Sequence, residues 1–175
     1  MELKSLIRTI PDFPKPGIRY RDITPLLGNG PGLRHVTREL ATRYEGTIDK
    51  VAAIEARGFI FGAMVAHALG AGLVPVRKPG KLPFDSIGHD YALEYGTNRV
   101  ELHTDAVRAG ERVLVLDDLL ATGGTASAAL SLLERLGAVV VGCAFVIDLT
   151  DVGGRGVLER RGYDVHALCA FSESE

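Results

Sequence analysis

Residues 113–125 read Val-Leu-Val-Leu-Asp-Asp-Leu-Leu-Ala-Thr-Gly-Gly-Thr, placing two carboxylates, two hydroxyls and a glycine pair within nine positions. Thr122, Gly123, Gly124 and Thr125 combine small side chains with a permissive backbone where a helical pattern begins. Unpaired N–H groups and the positive end of a helix dipole converge at such a point, which makes a phosphate cradle. Asp117 and Asp118 would repel a phosphate, so they must face another part of the ligand, either sugar hydroxyls or a hard cation. Phosphate at one end and a diol or Mg2+ at the other describes a sugar-phosphate site.

Other groups could serve the same ligand. Glu55-Ala56-Arg57-Gly58 follows an apolar run and opens a helix, and the guanidinium fork of Arg57 matches phosphate oxygens. An ordinary strand-to-helix turn with a surface arginine would read the same way. Arg77, Lys78 and Lys81 put three cations within five residues, as a solvated basic loop also does. Glu94 lies in Tyr91-Ala92-Leu93-Glu94-Tyr95-Gly96, where an exposed hairpin carboxylate is the plain alternative. Phe13 to Leu26 is a proline-stiffened arm carrying Arg19, Tyr20 and Arg21, and His103 reads as a strand surface residue. No P-loop, dinucleotide fingerprint, H-E-x-x-H or G-x-S-x-G motif occurs.

The elements that must position these groups alternate. A short N-terminal helix is followed by a stiff loop over Pro11–Gly17, and Leu33, Val36, Leu40 and Tyr44 recur at helical spacing. Strands are expected at 51–54, 73–77, 112–116, 138–149 and 164–171, with helices at 58–69, 125–136 and 154–161. Residues 78–90 read as a polar loop too poor in apolar residues to be core, and 91–95 with 99–103 as hairpin arms around Gly96. Alternating strands and helices specify an α/β fold around a mainly parallel sheet, with ligands at the carboxyl ends of its strands.

With 175 residues, 46% hydrophobic and 24% charged, the chain is expected to be one domain, 1–175, with its own core. A formal net charge of −2 provides no electrostatic footprint for nucleic acid or an anionic membrane. Cys143 and Cys169 lack metal-ligand spacing and read as buried reduced thiols. Without a signal-like start or an apolar run of about 18 residues, the expected location is cytoplasmic.

The Asp117–Thr125 segment resembles the phosphoribosyl-diphosphate (PRPP) motif of type I phosphoribosyltransferases, and its wording is most similar to the adenine phosphoribosyltransferases. That resemblance implies a type I phosphoribosyltransferase fold with an N-terminal hood over about residues 1–30 and a mobile hairpin lid. It implies transfer of ribose 5-phosphate from PRPP to adenine, giving AMP and diphosphate. Ala121, Thr122, Gly123, Gly124 and Thr125 would hold the 5-phosphate, and Asp117 and Asp118 the ribose and its developing charge. Glu55, Ala56 and Arg57, with a non-proline cis peptide, would meet the diphosphate. Arg77, Lys78 and Lys81 would reach it across a homodimer interface. Arg19, Tyr20, Arg21 and Leu119 would meet adenine. Glu94 would handle the proton on the purine imidazole nitrogen under a lid that includes Tyr95, where enclosure suits a carboxyl to acid–base work. Mg2+ would be held mostly by ligand oxygens and water, with no direct protein ligand assigned. Ala56 stands where the family commonly has serine, which removes one hydroxyl contact.

Two rivals stay open on these residues. One is a phosphoribosyltransferase for a 6-oxopurine or orotate. The hypoxanthine/guanine enzymes usually open the motif with Glu-Asp and carry a lysine for the 6-oxo group. The other is a PRPP-sensing regulator, a class that generally carries an added DNA-binding domain.

Overall fold

The structure, a computed structural model, describes residues 1–92, 96–172 and 175. A 3-10 turn (Leu3–Leu6) leads into an antiparallel pair, β1 (Arg8–Ile10) and β2 (Tyr20–Asp22), followed by helices α1 (Thr24–Leu27) and α2 (Gly30–Tyr44). Then come β3 (Lys50–Ile54), α3 (Gly58–Leu69), β4 (Gly72–Val76) and a second antiparallel pair, β5 (Ser86–Ala92) with β6 (Thr97–His103). The chain continues through β7 (Arg112–Leu120), α4 (Gly124–Arg135), β8 (Val139–Leu149), α5 (Gly154–Arg160) and β9 (Val165–Phe171). Strands β4-β3-β7-β8-β9 form one parallel sheet in that order, with β7 at its centre.

The unbroken apolar run in β7 has a two-sided cause. Val113 and Val115 pack with Ala129, Leu130 and Leu133 of α4, while Leu114 and Leu116 pack with Val36 and Leu40 of α2 and Phe61 of α3. A strand covered on both faces has no solvent side on which to place polar residues. Helix α2 begins where the Asn29 side chain accepts the Gly32 N–H at 2.8 Å, with Pro31 in the first turn. Its buried positions Val36, Leu40 and Tyr44 recur every four residues. Helix α3 stops at Gly70, left-handed at φ 63°, whose position lets the Ala71 N–H reach the Ala66 carbonyl at 2.9 Å.

Three expectations are corrected. Strand β7 does not end at Leu116 but runs to Leu120, because Asp117, Leu119 and Leu120 still pair with Phe145, Ile147 and Asp148 of β8. Part of the expected loop at 78–90 is strand: Ser86–Asp90 pairs with residues 99–103, so the ribbon is longer than the expected hairpin. Strand β5 needs little hydrophobicity because only its Ile87 and Tyr91 pack against the α4 side of the core, while Val100 and Leu102 of β6 supply the ribbon's buried positions. Strands β1 and β2 are absent from the expected order, since three-residue strands leave almost no periodic signal.

Candidate active site

The Thr122-Gly123-Gly124-Thr125 turn, the expected phosphate cradle, stands at the carboxyl end of the central strand. Gly123 is left-handed at φ 79°, and its carbonyl accepts the Ser127 N–H at 2.8 Å, so α4 starts abruptly. The first N–H groups of a helix have no intrahelical acceptor and point outward at its start. A small cavity of about 90 Å³ opens there, with Asp117 on its wall. The turn is braced from behind by Gly154, whose N–H donates to the Ala121 carbonyl at 3.0 Å. A side chain at Gly154 would overlap that carbonyl.

The acidic pair is held by the backbone and by one cation. Asp117 Oδ1 accepts the Asp118 N–H at 2.8 Å. A Cβ at Gly58 would stand 2.7 Å from that oxygen, so the start of α3 approaches this closely only as glycine. Asp118 is buried, and Arg57 Nε lies 2.7 Å from its Oδ2 as an ion pair. Their alignment is not that of a hydrogen bond, which leaves this buried oxygen an acceptor to offer. Loss of solvent and the neighbouring Asp118 charge push the Asp117 carboxyl well above the usual carboxylate range. Loss of solvent also raises Asp118, with Arg57 opposing the shift.

Arg57 bridges outward as well. It donates to the Tyr20 hydroxyl, and its guanidinium lies 5.4 Å from the Tyr20 ring centroid. Phe13 meets Tyr20 edge-on at 5.1 Å, so the N-terminal arm is seated on the acidic pair through one arginine. The Glu55–Ala56 peptide beside it is cis.

Below the arm, a cavity of about 150 Å³ is lined by Glu55, Arg77, Lys78, Tyr91, Asp117 and Thr125. Glu55 Oε2 accepts the Lys78 N–H at 2.9 Å and Arg77 Nε at 3.1 Å. Burial raises the Glu55 pKa, but these two donors outweigh it and hold the carboxyl below its usual range. Arg77 also donates to the Lys81 carbonyl at 3.2 Å, so the cationic loop is folded around Glu55. The side chains of Lys78 and Lys81 belong to exposed residues.

The phosphoribosyl transferase domain model matches residues 26–168. The adenine phosphoribosyltransferase of Methylobacillus flagellatus is 61% identical, over 100% of both chains. The crystal structure of that enzyme from Thermoanaerobacter pseudethanolicus superposes with a TM-score of 0.92 at 50% identity, covering 97% of this chain and 98% of the other. The chain belongs to the adenine phosphoribosyltransferase family. The Saccharomyces cerevisiae adenine phosphoribosyltransferase, solved with an imino-altritol bisphosphate and adenine, is 37% identical with a TM-score of 0.90, over 95% and 96% of the two chains.

Against that family's pattern, the expected residues divide. Asp117, Thr125, Glu55, Arg77 and Lys78 share one cavity, and Arg57 adjoins it through Asp118. Leu119 is half-buried on the side of the sheet that faces the arm, and Arg19 is exposed on the arm itself. Arg21 is different. Its side chain is buried, stacks 4.3 Å from the Phe171 ring, and donates to Thr9 Oγ1 at 2.5 Å and to the Ser172 carbonyl at 3.1 Å. Any contact between Arg21 and a base therefore falls to its backbone. The Glu55 side chain, likewise, braces the cationic loop and would repel a diphosphate. Glu94 and Tyr95 lie outside the described residues. Tyr91, expected only as the first residue of the lid segment that carries Glu94, lines the cavity itself, and the alternation Ile87-His89-Tyr91 was the available signal.

Proposed function

We propose that this chain transfers ribose 5-phosphate from PRPP to adenine, giving AMP and diphosphate, a purine-salvage reaction. The observation that carries this reading is the meeting of Thr125, Asp117 and the Arg77–Lys78 loop in one cavity at the carboxyl ends of the parallel strands. That arrangement supplies a phosphate cradle, an acidic pair and diphosphate-neutralising cations in the order in which PRPP carries its parts. Family membership supports adenine as the acceptor.

In this reading the N–H groups and hydroxyls of Ala121–Thr125 hold the 5-phosphate. Asp117 and Asp118 accept hydrogen bonds from the ribose hydroxyls and stabilise the positive charge that grows as the bond to diphosphate breaks. Arg57, the backbone of Glu55–Ala56, Arg77, Lys78 and Lys81 take up the departing diphosphate. Tyr20 and Leu119 flank the adenine ring, and the backbone of Arg19 and Arg21 reads its edge. Glu94 accepts the proton that the imidazole nitrogen loses. Most of the rate enhancement then comes from positioning and fixed charge.

Among the described residues no group of three or more His, Cys, Asp or Glu could hold a metal ion. A Mg2+ would be held mostly by oxygens of PRPP and water beside the paired carboxylates, whose negative charge suits a hard cation, and it would supply charge neutralisation to the diphosphate. We further read residues 1–175 as one domain with a hood over about 1–30, working as a cytoplasmic homodimer. Burial pushes the Cys143 and Cys169 thiols up to about 12 and about 11, as for inert thiols in a reducing compartment. No helix among the described residues is long and apolar enough to cross a membrane.

Product analysis after incubation with PRPP, adenine and Mg2+ tests the reading. AMP and diphosphate should appear in equal amounts, and salt-dependent DNA binding without AMP would instead favour the regulator.

A further inference from the structure

Tyr91 stands near the end of β5, with its hydroxyl 2.9 Å from Thr125 Oγ1. Its ring packs on the turn itself: a Cβ at Gly124 would lie 3.1 Å from the ring. The ribbon that carries Tyr91 is fastened at the far end of α4 as well, where Arg135 donates to the Gly88 carbonyl at 3.1 Å. The ribbon is thus held at both ends of that helix, and Tyr91, at its start, lines the same cavity as Asp117, Arg77 and Lys78.

Two hydroxyls at hydrogen-bond distance share one of their two protons, and the other proton remains available to a third group. A threonine hydroxyl in the first turn of a helix is otherwise free to rotate among its staggered positions. We infer that Tyr91 is a positioning residue for the 5-phosphate of PRPP, holding the Thr125 hydroxyl so that the remaining proton is directed at a phosphate oxygen. This rests on the reading that Thr125 contacts that phosphate. Glycine at position 124 is part of the arrangement, because a side chain there would press on the Tyr91 ring.

Tyr91→Phe, Thr125→Val and the double variant test the inference by steady-state kinetics, with ribose 5-phosphate affinity measured by calorimetry. Tyr91→Phe keeps the ring and its packing. It should raise KM for PRPP about five- to tenfold and weaken ribose 5-phosphate to match, with kcat and the adenine KM within about twofold. Thr125→Val should do at least as much, and the double variant should be no worse than Thr125→Val, since Tyr91 acts through Thr125. If Thr125→Val weakens PRPP while Tyr91→Phe leaves it unchanged, or if the two effects multiply, the positioning role is overturned and the phosphate site stands. If Thr125→Val itself leaves both measurements unchanged, the placement of the phosphate on Thr125 is overturned, and the role of Tyr91 with it.

Discussion

Arg57 Nε stands 2.7 Å from the Asp118 carboxylate, so the Glu55-Ala56-Arg57 loop is tied directly to the acidic pair at the end of β7. The same guanidinium donates to Tyr20 on the N-terminal arm. One cation therefore registers the three parts of the site against each other.

Arg57→Ala removes that cation from a buried carboxylate and, on the proposed function, from the diphosphate. Loss of a charge-assisted contact should lower kcat/KM for PRPP about ten- to a hundredfold. Without Arg57, Asp118 is harder to ionise, so the acid limb of the pH–rate profile should move to higher pH. A pH–rate profile that keeps its acid limb in place would show that Arg57 does not govern the acidic pair.

Asp117→Asn should stabilise the protein while impairing it. A carboxyl raised on folding strengthens the fold below its ordinary value of 3.8, and that contribution is lost as pH climbs through the raised folded value. At neutral pH its charge opposes folding, and asparagine, whose Oδ1 still accepts the Asp118 N–H, removes that cost. Tm at pH 7 should rise by about 2–4 °C, while activity falls because the ribose loses a charged partner. Wild-type kcat/KM should itself increase with pH through the raised Asp117 value. A lower Tm for the variant at pH 7 would contradict the electrostatic account of the pair.

Gly154→Ala acts on the phosphate turn from behind, since its methyl would overlap the Ala121 carbonyl. Displacing that carbonyl should cost about 1–3 kcal/mol of stability. It should raise the PRPP KM about tenfold, as expected for a shift of the turn, with the adenine KM unchanged. An unaltered PRPP KM in a folded variant would remove the bracing role.

Glu94→Gln tests the acid–base assignment that rests on family resemblance. It should lower kcat about a hundredfold with little change in PRPP affinity. Unchanged turnover would take Glu94 out of the proton transfer.

The sheet strands and the three longer helices were legible because two-sided burial and helical periodicity leave repeated marks, as at Val113–Leu116 and Val36-Leu40-Tyr44. The Thr122–Thr125 turn was legible because glycine and threonine suit an abrupt helix start at the end of an apolar strand. Strands β1 and β2 were not, since three residues carry no period. Residues 86–90 read as a loop because β5 docks only through Ile87 and Tyr91, the ribbon's buried positions being Val100 and Leu102 on β6. Side-chain direction was the least legible. Nothing in Arg19-Tyr20-Arg21 announces that Arg21 turns inward onto Phe171, or that Glu55 braces Arg77 and Lys78. Those outcomes depend on partners distant in the chain.

The most direct measurement is kcat/KM with saturating PRPP for adenine, guanine, hypoxanthine and orotate in turn. The site described here predicts turnover of adenine at least about a hundredfold above each of the others, on the scale of a missing or mismatched hydrogen-bonding edge. Turnover of guanine, hypoxanthine or orotate in preference to adenine would contradict it.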